Sequence, residues 1–310
     1  MEEASATRPG TGGTAVVCDS TAYLPADLAA RERIEVVSLY VSLGGVQRRE
    51  TEIADYPAFF EELQASDSPA TTSQPSVGDF IAAYEPSLQA GREVVSLHIS
   101  SGISGTVEAA NQARERLIEE GRGGERVHVY DSGTSAGALG LCALSASRSA
   151  AAGAGAEQAL AEVRRVREAM RIWFAIDTLE YLRRGGRIGG AQAWIGSTLK
   201  IKPILTLEHE ITPVERVRTR SRSIERLREY ARERHADGAD AWVVQHIQDP
   251  ESAERLAADC REIYGCGPVF ASEIGPVLGA HVGPGLLGVG STVPFGGRHP
   301  ASDSRVQAAG

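Results

Sequence analysis

Lysine is nearly absent from this chain. It carries 32 basic residues, yet only Lys200 and Lys202 are lysines, both in the run Lys-Ile-Lys-Pro. Schiff-base chemistry and the lysine of a phosphate-binding P-loop therefore have almost no candidates. Cysteine is scarce as well. Cys18, Cys142, Cys260 and Cys266 form no C-x-x-C pair. They read as buried thiols of a cytoplasmic protein rather than as a disulfide or zinc frame. Positive charge is in deficit, with a formal net charge of -9. That argues against nucleic-acid binding and allows at most transient contact with a membrane. No apolar run approaches membrane-spanning length, and Met1 to Gly13 lacks the hydrophobic stretch of a signal peptide. No HExxH or paired Cys/His motif suggests a metal, and no G-x-G-x-x-G follows a strand. Neither a metal nor a cofactor is expected.

What is present is enough apolar residue, 42%, for a packed core in a chain of 310 residues. Short apolar runs alternate with helical stretches in the first half. Strands are predicted at 14–18, 34–43, 93–99 and 126–130. Helices are predicted at 25–31, 56–65, 76–88, 105–119, 135–150 and 156–170. Such alternation implies a mostly parallel sheet with flanking helices. The second half mixes strand 171–176, a helix capped by Asp177 and ending at Gly185-Gly186, and a hairpin at 204–207 and 211–217. Helix 223–235, strand 241–247, helix 251–264 and strands near Val269 and Leu287 follow. The expected fold class is therefore α/β, with an N-terminal α/β domain at 14–168 and a C-terminal α+β domain with antiparallel strands at 169–294. Residues 1–13 and the Gly/Pro/Ser-rich 295–310 are expected to be disordered.

Three predicted strands run into hydroxyl clusters: Asp19-Ser20-Thr21, Ser100-Ser101-Gly-Ile-Ser104-Gly105-Thr106 and Asp131-Ser132. Ligands of open α/β sheets bind beyond the carboxyl ends of the strands, so the clusters are expected to share one crevice. The second also opens a helix, where backbone N–H groups suit an anion. Thr71-Thr72-Ser73-Gln74-Pro75-Ser76 adds a further hydroxyl patch before a helix. Each cluster taken alone also reads as an ordinary helix cap. The segment from Ser272 to Gly288 packs five glycines and two prolines around His281. It reads as a stiff loop, either aiming the histidine at a ligand or simply making a rigid turn. Gly102-Ile-Ser104-Gly105-Thr106 is also one position away from a nucleophile elbow, so Ser104, His281 and Asp19 or Asp131 sketch a serine-dependent acyl hydrolase or transferase.

Taken in order, Asp19-Ser-Thr21, Thr72-Ser-Gln-Pro75, Ser100-Ser-Gly-Ile-Ser-Gly-Thr106, Tyr130-Asp-Ser132, Leu179-Glu-Tyr-Leu-Arg-Arg-Gly-Gly-Arg-Ile188, Lys202-Pro-Ile-Leu205 and Gly279-Ala-His-Val-Gly-Pro-Gly285 resemble the DegV family of bacterial fatty-acid-binding proteins. That family includes the binding subunits of fatty acid kinase, which serve phospholipid metabolism. The resemblance covers roughly residues 14 to 293. It implies two α/β domains and a buried long-chain fatty acid, with the carboxylate held by Thr72, Ser73, Ser104, Gly105 and His281. Asp19, Ser20, Ser101, Asp131 and Arg218 are implied as support. The resemblance further implies that Arg183, Arg184 and Arg187 dock a separate ATP-binding kinase subunit. On charge alone those arginines are a solvated helix end.

Overall fold

The structure is a computed structural model and describes residues 12–66, 68–195 and 201–296. Most of the expected disordered ends, 1–11 and 297–310, and Lys200 lie outside the described residues. In chain order the elements are β1 (Thr14–Asp19), α1 (Ala26–Arg31), β2 (Ile34–Val37), β3 (Tyr40–Leu43), β4 (Val46–Arg49), α2 (Tyr56–Ala65), β5 (Thr71–Ser73), α3 (Val77–Gln89), β6 (Glu93–His98), α4 (Thr106–Glu119), β7 (Val127–Asp131), α5 (Ala136–Ala151), α6 (Ala156–Ala169) and β8 (Arg171–Ala175). They continue with α7 (Glu180–Arg184), β9 (Lys202–Glu208), β10 (Glu210–Val217), α8 (Arg220–Ala236), β11 (Ala241–His246), α9 (Pro250–Tyr264), β12 (Phe270–Glu273), α10 (Pro276–Val282) and β13 (Leu287–Thr292).

Strands β2-β1-β6-β7 form an all-parallel sheet in that order. Every residue of β1 is buried, as befits a strand covered on both faces. The second half forms a six-stranded mixed sheet, β10-β9-β8-β13-β11-β12, in which only β11 and β12 pair in parallel. The α/β class and the two sheet types match the sequence reading. A small antiparallel sheet, β4-β3-β5, is an addition to it.

The two sheets share one apolar core. Residues of β1 and β6 pack with α5 and α6, and these pack in turn on Ala241, Val243 and Phe270 of the mixed sheet. Helix α5 explains how. Its sequence AGALGLCALSASRSAA is almost all small or aliphatic, and twelve of its residues are buried. A Cβ at Gly137 would come within 2.6 Å of Val243 Cγ2, and one at Gly140 within 2.7 Å of Phe270 Cζ. Helix and second sheet therefore approach at glycine distance.

Three readings need correction. The apolar run 34–43 is two strands that enter different sheets, because Ser38 turns the chain: its hydroxyl donates to Leu39 O (2.8 Å) and accepts Thr51 N (3.2 Å). Asp177 does not cap α7; it pairs with Lys202 at 2.8 Å, and Thr178 Oγ1 accepts Glu180 N instead. The glycine-rich loop around His281 is helix α10. Pro276 sits in its first turn, where a missing N–H costs nothing, and Gly283 at φ 76 ends it.

Candidate functional site

One face of the mixed sheet, the β3–β5 sheet, α10 and the start of α5 line a slot. Its floor is Leu207, Ile211, Ile172, Phe174 and Val243, and its walls include Leu39, Ile274, Val277, Leu278 and Val282. Polar groups gather at one part of the lining. Thr72, Ser73 and Gln74 come from β5 and the residue after it, Ser104 and Gly105 from the loop between β6 and α4, Arg187 from the turn after α7, and His281 from α10. The loop and β5 abut: a Cβ at Gly105 would lie 3.2 to 3.4 Å from the Gln74 amide. All five residues expected at the carboxylate therefore line one slot.

Thr72 Oγ1 and His281 Nε2 are 2.7 Å apart. Burial, helped by the charge of Arg187, pulls the histidine down to about 4, so it is neutral at pH 7. One ring nitrogen then carries the proton. Nδ1 is buried and has no partner among the described residues, and the backbone of Gly185 fills the space beside it: a Cβ there would sit 2.2 Å from Nδ1. An orphaned N–H is worse than an orphaned acceptor, so the proton belongs on Nε2. Nε2–H donates to Thr72, and the Thr72 hydroxyl is left to donate into the slot. Ser104 Oγ lies 2.8 Å from Thr106 Oγ1 and accepts Thr106 N at 3.3 Å, which fixes it at the start of α4.

The supporting residues do not reach the slot. Asp19 is fully buried and spends its oxygens on Thr21 N (3.0 Å), Ile99 N (2.8 Å) and His98 Nδ1 (3.2 Å). It ties β1 to the end of β6. Ser20 bonds Glu50 at 2.5 Å. Asp131 accepts Ser101 N (3.2 Å), Ser101 Oγ (2.5 Å) and Gly133 N (2.9 Å), bracing the loop that carries Ser104. Arg218 is exposed and does not line the slot. The hydrolase triad is not assembled: His281 is engaged by Thr72 rather than Ser104, and both candidate aspartates are committed elsewhere. Arg183 and Arg184 both bind Glu180, at 2.6 and 2.7 Å, and hold its carboxyl down to about 2. Arg187 differs from them. It is exposed and lines the slot as well, donating to Gly185 O (2.7 Å) and Ile103 O (3.4 Å). Among the described residues no cluster of His, Cys, Asp or Glu is placed to hold a metal, and no helix is long and apolar enough to cross a membrane.

One residue that positions the site escaped the sequence reading. Glu50 is buried at 1% exposure. Its Oε1 accepts Tyr23 O–H (2.8 Å) and Val277 N–H (2.8 Å), and its Oε2 accepts Ser20 O–H. The Tyr23 phenol oxygen, Oη, in turn accepts Leu278 N–H at 3.1 Å. Two side chains distant in sequence thus cap α10, the helix that carries His281. Burial outweighs these donors and pushes the Glu50 carboxyl up to about 7.

Comparison with known proteins agrees with this fold. A family profile described as "Uncharacterised protein, DegV family" matches residues 13–293. The DegV domain-containing protein SCO2569 of Streptomyces coelicolor is 42% identical over 279 residues, 89% of this chain and 96% of that protein. The crystal structure of DegV, a fatty acid binding protein from Bacillus subtilis, superposes with a TM-score of 0.82 at 33% identity, covering 92% of this chain and 100% of that one. A fatty-acid-binding DegV family protein from Thermus thermophilus gives 0.81 at 33% identity, over 91% and 100%. With the fold, the ordered motifs and the profile in agreement over nearly the whole length, the chain belongs to the DegV family.

Proposed function

We propose that this protein binds one long-chain fatty acid in the slot and acts in the cytoplasm as a carrier, not as an enzyme alone. The observation that carries this is a slot lined mostly by apolar side chains, with the Thr72–His281 pair, Ser104 and Arg187 gathered at one part of it. A carboxylate requires hydrogen-bond donors, and an acyl chain requires only apolar surface. Burying each methylene contributes about 0.8 kcal/mol, so a long chain gains on the order of 10 kcal/mol before ordering costs. The head group then sets register more than affinity. The solved relatives described as fatty acid binding proteins support the reading.

In this reading the carrier presents the carboxylate to a separate ATP-dependent fatty acid kinase subunit, which forms the acyl phosphate used in phospholipid metabolism. Support comes from Arg187, exposed to solvent at the polar part of the slot and flanked by Arg183 and Arg184. Guanidinium groups there suit an acidic partner. A double Arg183→Ala/Arg184→Ala variant should bind fatty acid within about twofold of the wild type, since exposed ion pairs contribute little. Its kinase-coupled acyl phosphate, trapped as hydroxamate, should fall sharply; unchanged coupled activity refutes the docking role. Arg187→Ala, which alters the slot itself, should lower both.

Fatty-acid titration with Ser104→Ala tests the binding role. Losing a hydrogen bond to a charged group costs about 1.5–3 kcal/mol, so affinity should fall at least about tenfold. Fluorophosphonate should leave Ser104 unlabelled. Ser104-dependent labelling with ester turnover supports a hydrolase instead.

A further inference from the structure

The floor of the slot has an unexpected composition on its central strand. The mixed sheet alternates cleanly. Leu287 and Val289 of β13, Trp173 and Ala175 of β8, and Trp242 and Val244 of β11 point away into the core under α8 and α9. The opposite face lines the slot with Ile172 and Phe174 from β8, and Val243 and Gln245 from β11. Between them β13 contributes Gly288 and Gly290, the two positions of that strand which line the slot. Glycine weakens a strand interior, so two on one face of a central strand call for a reason.

Space supplies one. Arg187, donating to Ile103 O, and Gly189, packed on Ile211 O, place the polar groups over the β9–β10 side of the sheet. Val243, Gln245, Ser135 and Ala136 line the slot on the β11 side. An acyl chain running from one side to the other crosses β13, and it crosses where that strand carries no side chain. At the β11 side Gln245 is tethered at both ends of its amide: its Oε1 accepts Gly137 N at 2.5 Å and its Nε2 donates to Ser272 Oγ at 2.9 Å. Val243 and Ala136 give that part of the slot apolar surface for methylene contacts.

We propose that Gly290 sets how long an acyl chain this protein accepts, an inference that rests on the fatty-acid reading of the slot. The two glycines are not equivalent. A Cβ at Gly288 would lie 3.0 Å from Phe174 Cβ and 3.3 Å from Trp173 O, so the sheet itself resists substitution there. A Cβ at Gly290 would meet Val243 Cγ2 at 3.5 Å, with Arg171 O and Ile172 Cβ both at 3.7 Å. Those are ordinary contacts, and the backbone at 290 is not in the left-handed region. A β-branched side chain fits the strand there and occupies the space of the acyl chain instead.

The test is a titration with saturated fatty acids from decanoate to stearate, on wild type, Gly290→Ala and Gly290→Val, beside thermal unfolding of each. The wild type should bind the longer chains best. Gly290→Val should fold, lose at least about tenfold in stearate affinity as methylene contacts are displaced, and keep decanoate affinity within about threefold. Gly290→Ala should shift the profile in the same direction by less, and it carries the test if the valine variant does not fold. Folded variants with the wild-type chain-length profile overturn the proposal, as does an equal loss at every length. A wild type that binds no fatty acid at all overturns the fatty-acid reading, and this inference with it.

Discussion

His281→Ala should weaken long-chain fatty-acid binding at least about tenfold while the protein stays folded. The imidazole does not need to touch the carboxylate to matter. Neutral at pH 7 and with Nδ1 unpartnered, it donates from Nε2 to Thr72 at 2.7 Å and turns the Thr72 hydroxyl proton toward the slot. Without it the Thr72 hydroxyl is free to rotate and to present lone pairs to an anion. The two side chains act as one unit, so Thr72→Ala should cost a similar amount. The double variant should bind about as weakly as either single, since residues that share one interaction do not add. Titration of the three variants checks this. Fully additive losses would mean that each residue contacts the ligand independently.

Glu50→Ala should destabilise the fold by about 3 kcal/mol or more, because it leaves Ser20 O–H, Tyr23 O–H and Val277 N–H buried with one acceptor fewer. Glu50→Gln isolates the charge, and its signature is in pH. Glu50 is raised from 4.5 to about 7, so the folded chain holds this proton more tightly than the unfolded one. Its contribution to stability is complete below about 4.5 and is lost as pH rises through about 7. His281 works in the opposite sense. Lowered from 6.5 to about 4, it contributes stability that is present above 6.5 and lost as pH falls toward about 4. Each spans up to about 3 kcal/mol, and the two offset each other over the same window. Denaturation of Glu50→Gln should therefore show stability falling from pH 6.5 downward, and that of His281→Gln should show it rising as pH drops below 7. Identical pH profiles for the two variants contradict the assignment.

Of the three strand-end clusters, only the loop that carries Ser104 and Gly105 reaches the slot. The resemblance to the DegV family places Thr72, Ser104 and His281 together, and they line one slot. Other features were hidden for identifiable reasons. The run 34–43 is apolar apart from Glu35, Ser38 and Ser42, so nothing in its pattern shows that Ser38 passes the chain from one sheet to another. Strand β5 is three residues long, too short for a period. Helix α10 looks like a loop because it holds glycine and proline, yet Pro276 lies in its first turn, Gly283 ends it, and Gly279 is needed where Phe60 packs within 2.4 Å of a would-be Cβ. Asp19 and Asp131 sit at strand ends as expected, but both are consumed in holding neighbouring loops, a distinction that only hydrogen-bond partners reveal. Glu50 follows a run of arginines and reads as surface charge; its burial depends on Tyr23 and Val277, both far away in sequence.

Mass spectrometry of the lipid extracted from the purified protein tests the central claim most directly. The account predicts a long-chain fatty acid at roughly one per chain, lost or sharply reduced in His281→Ala. A protein that carries only nucleotide, sugar or metal, and takes up no fatty acid when it is supplied, would contradict it.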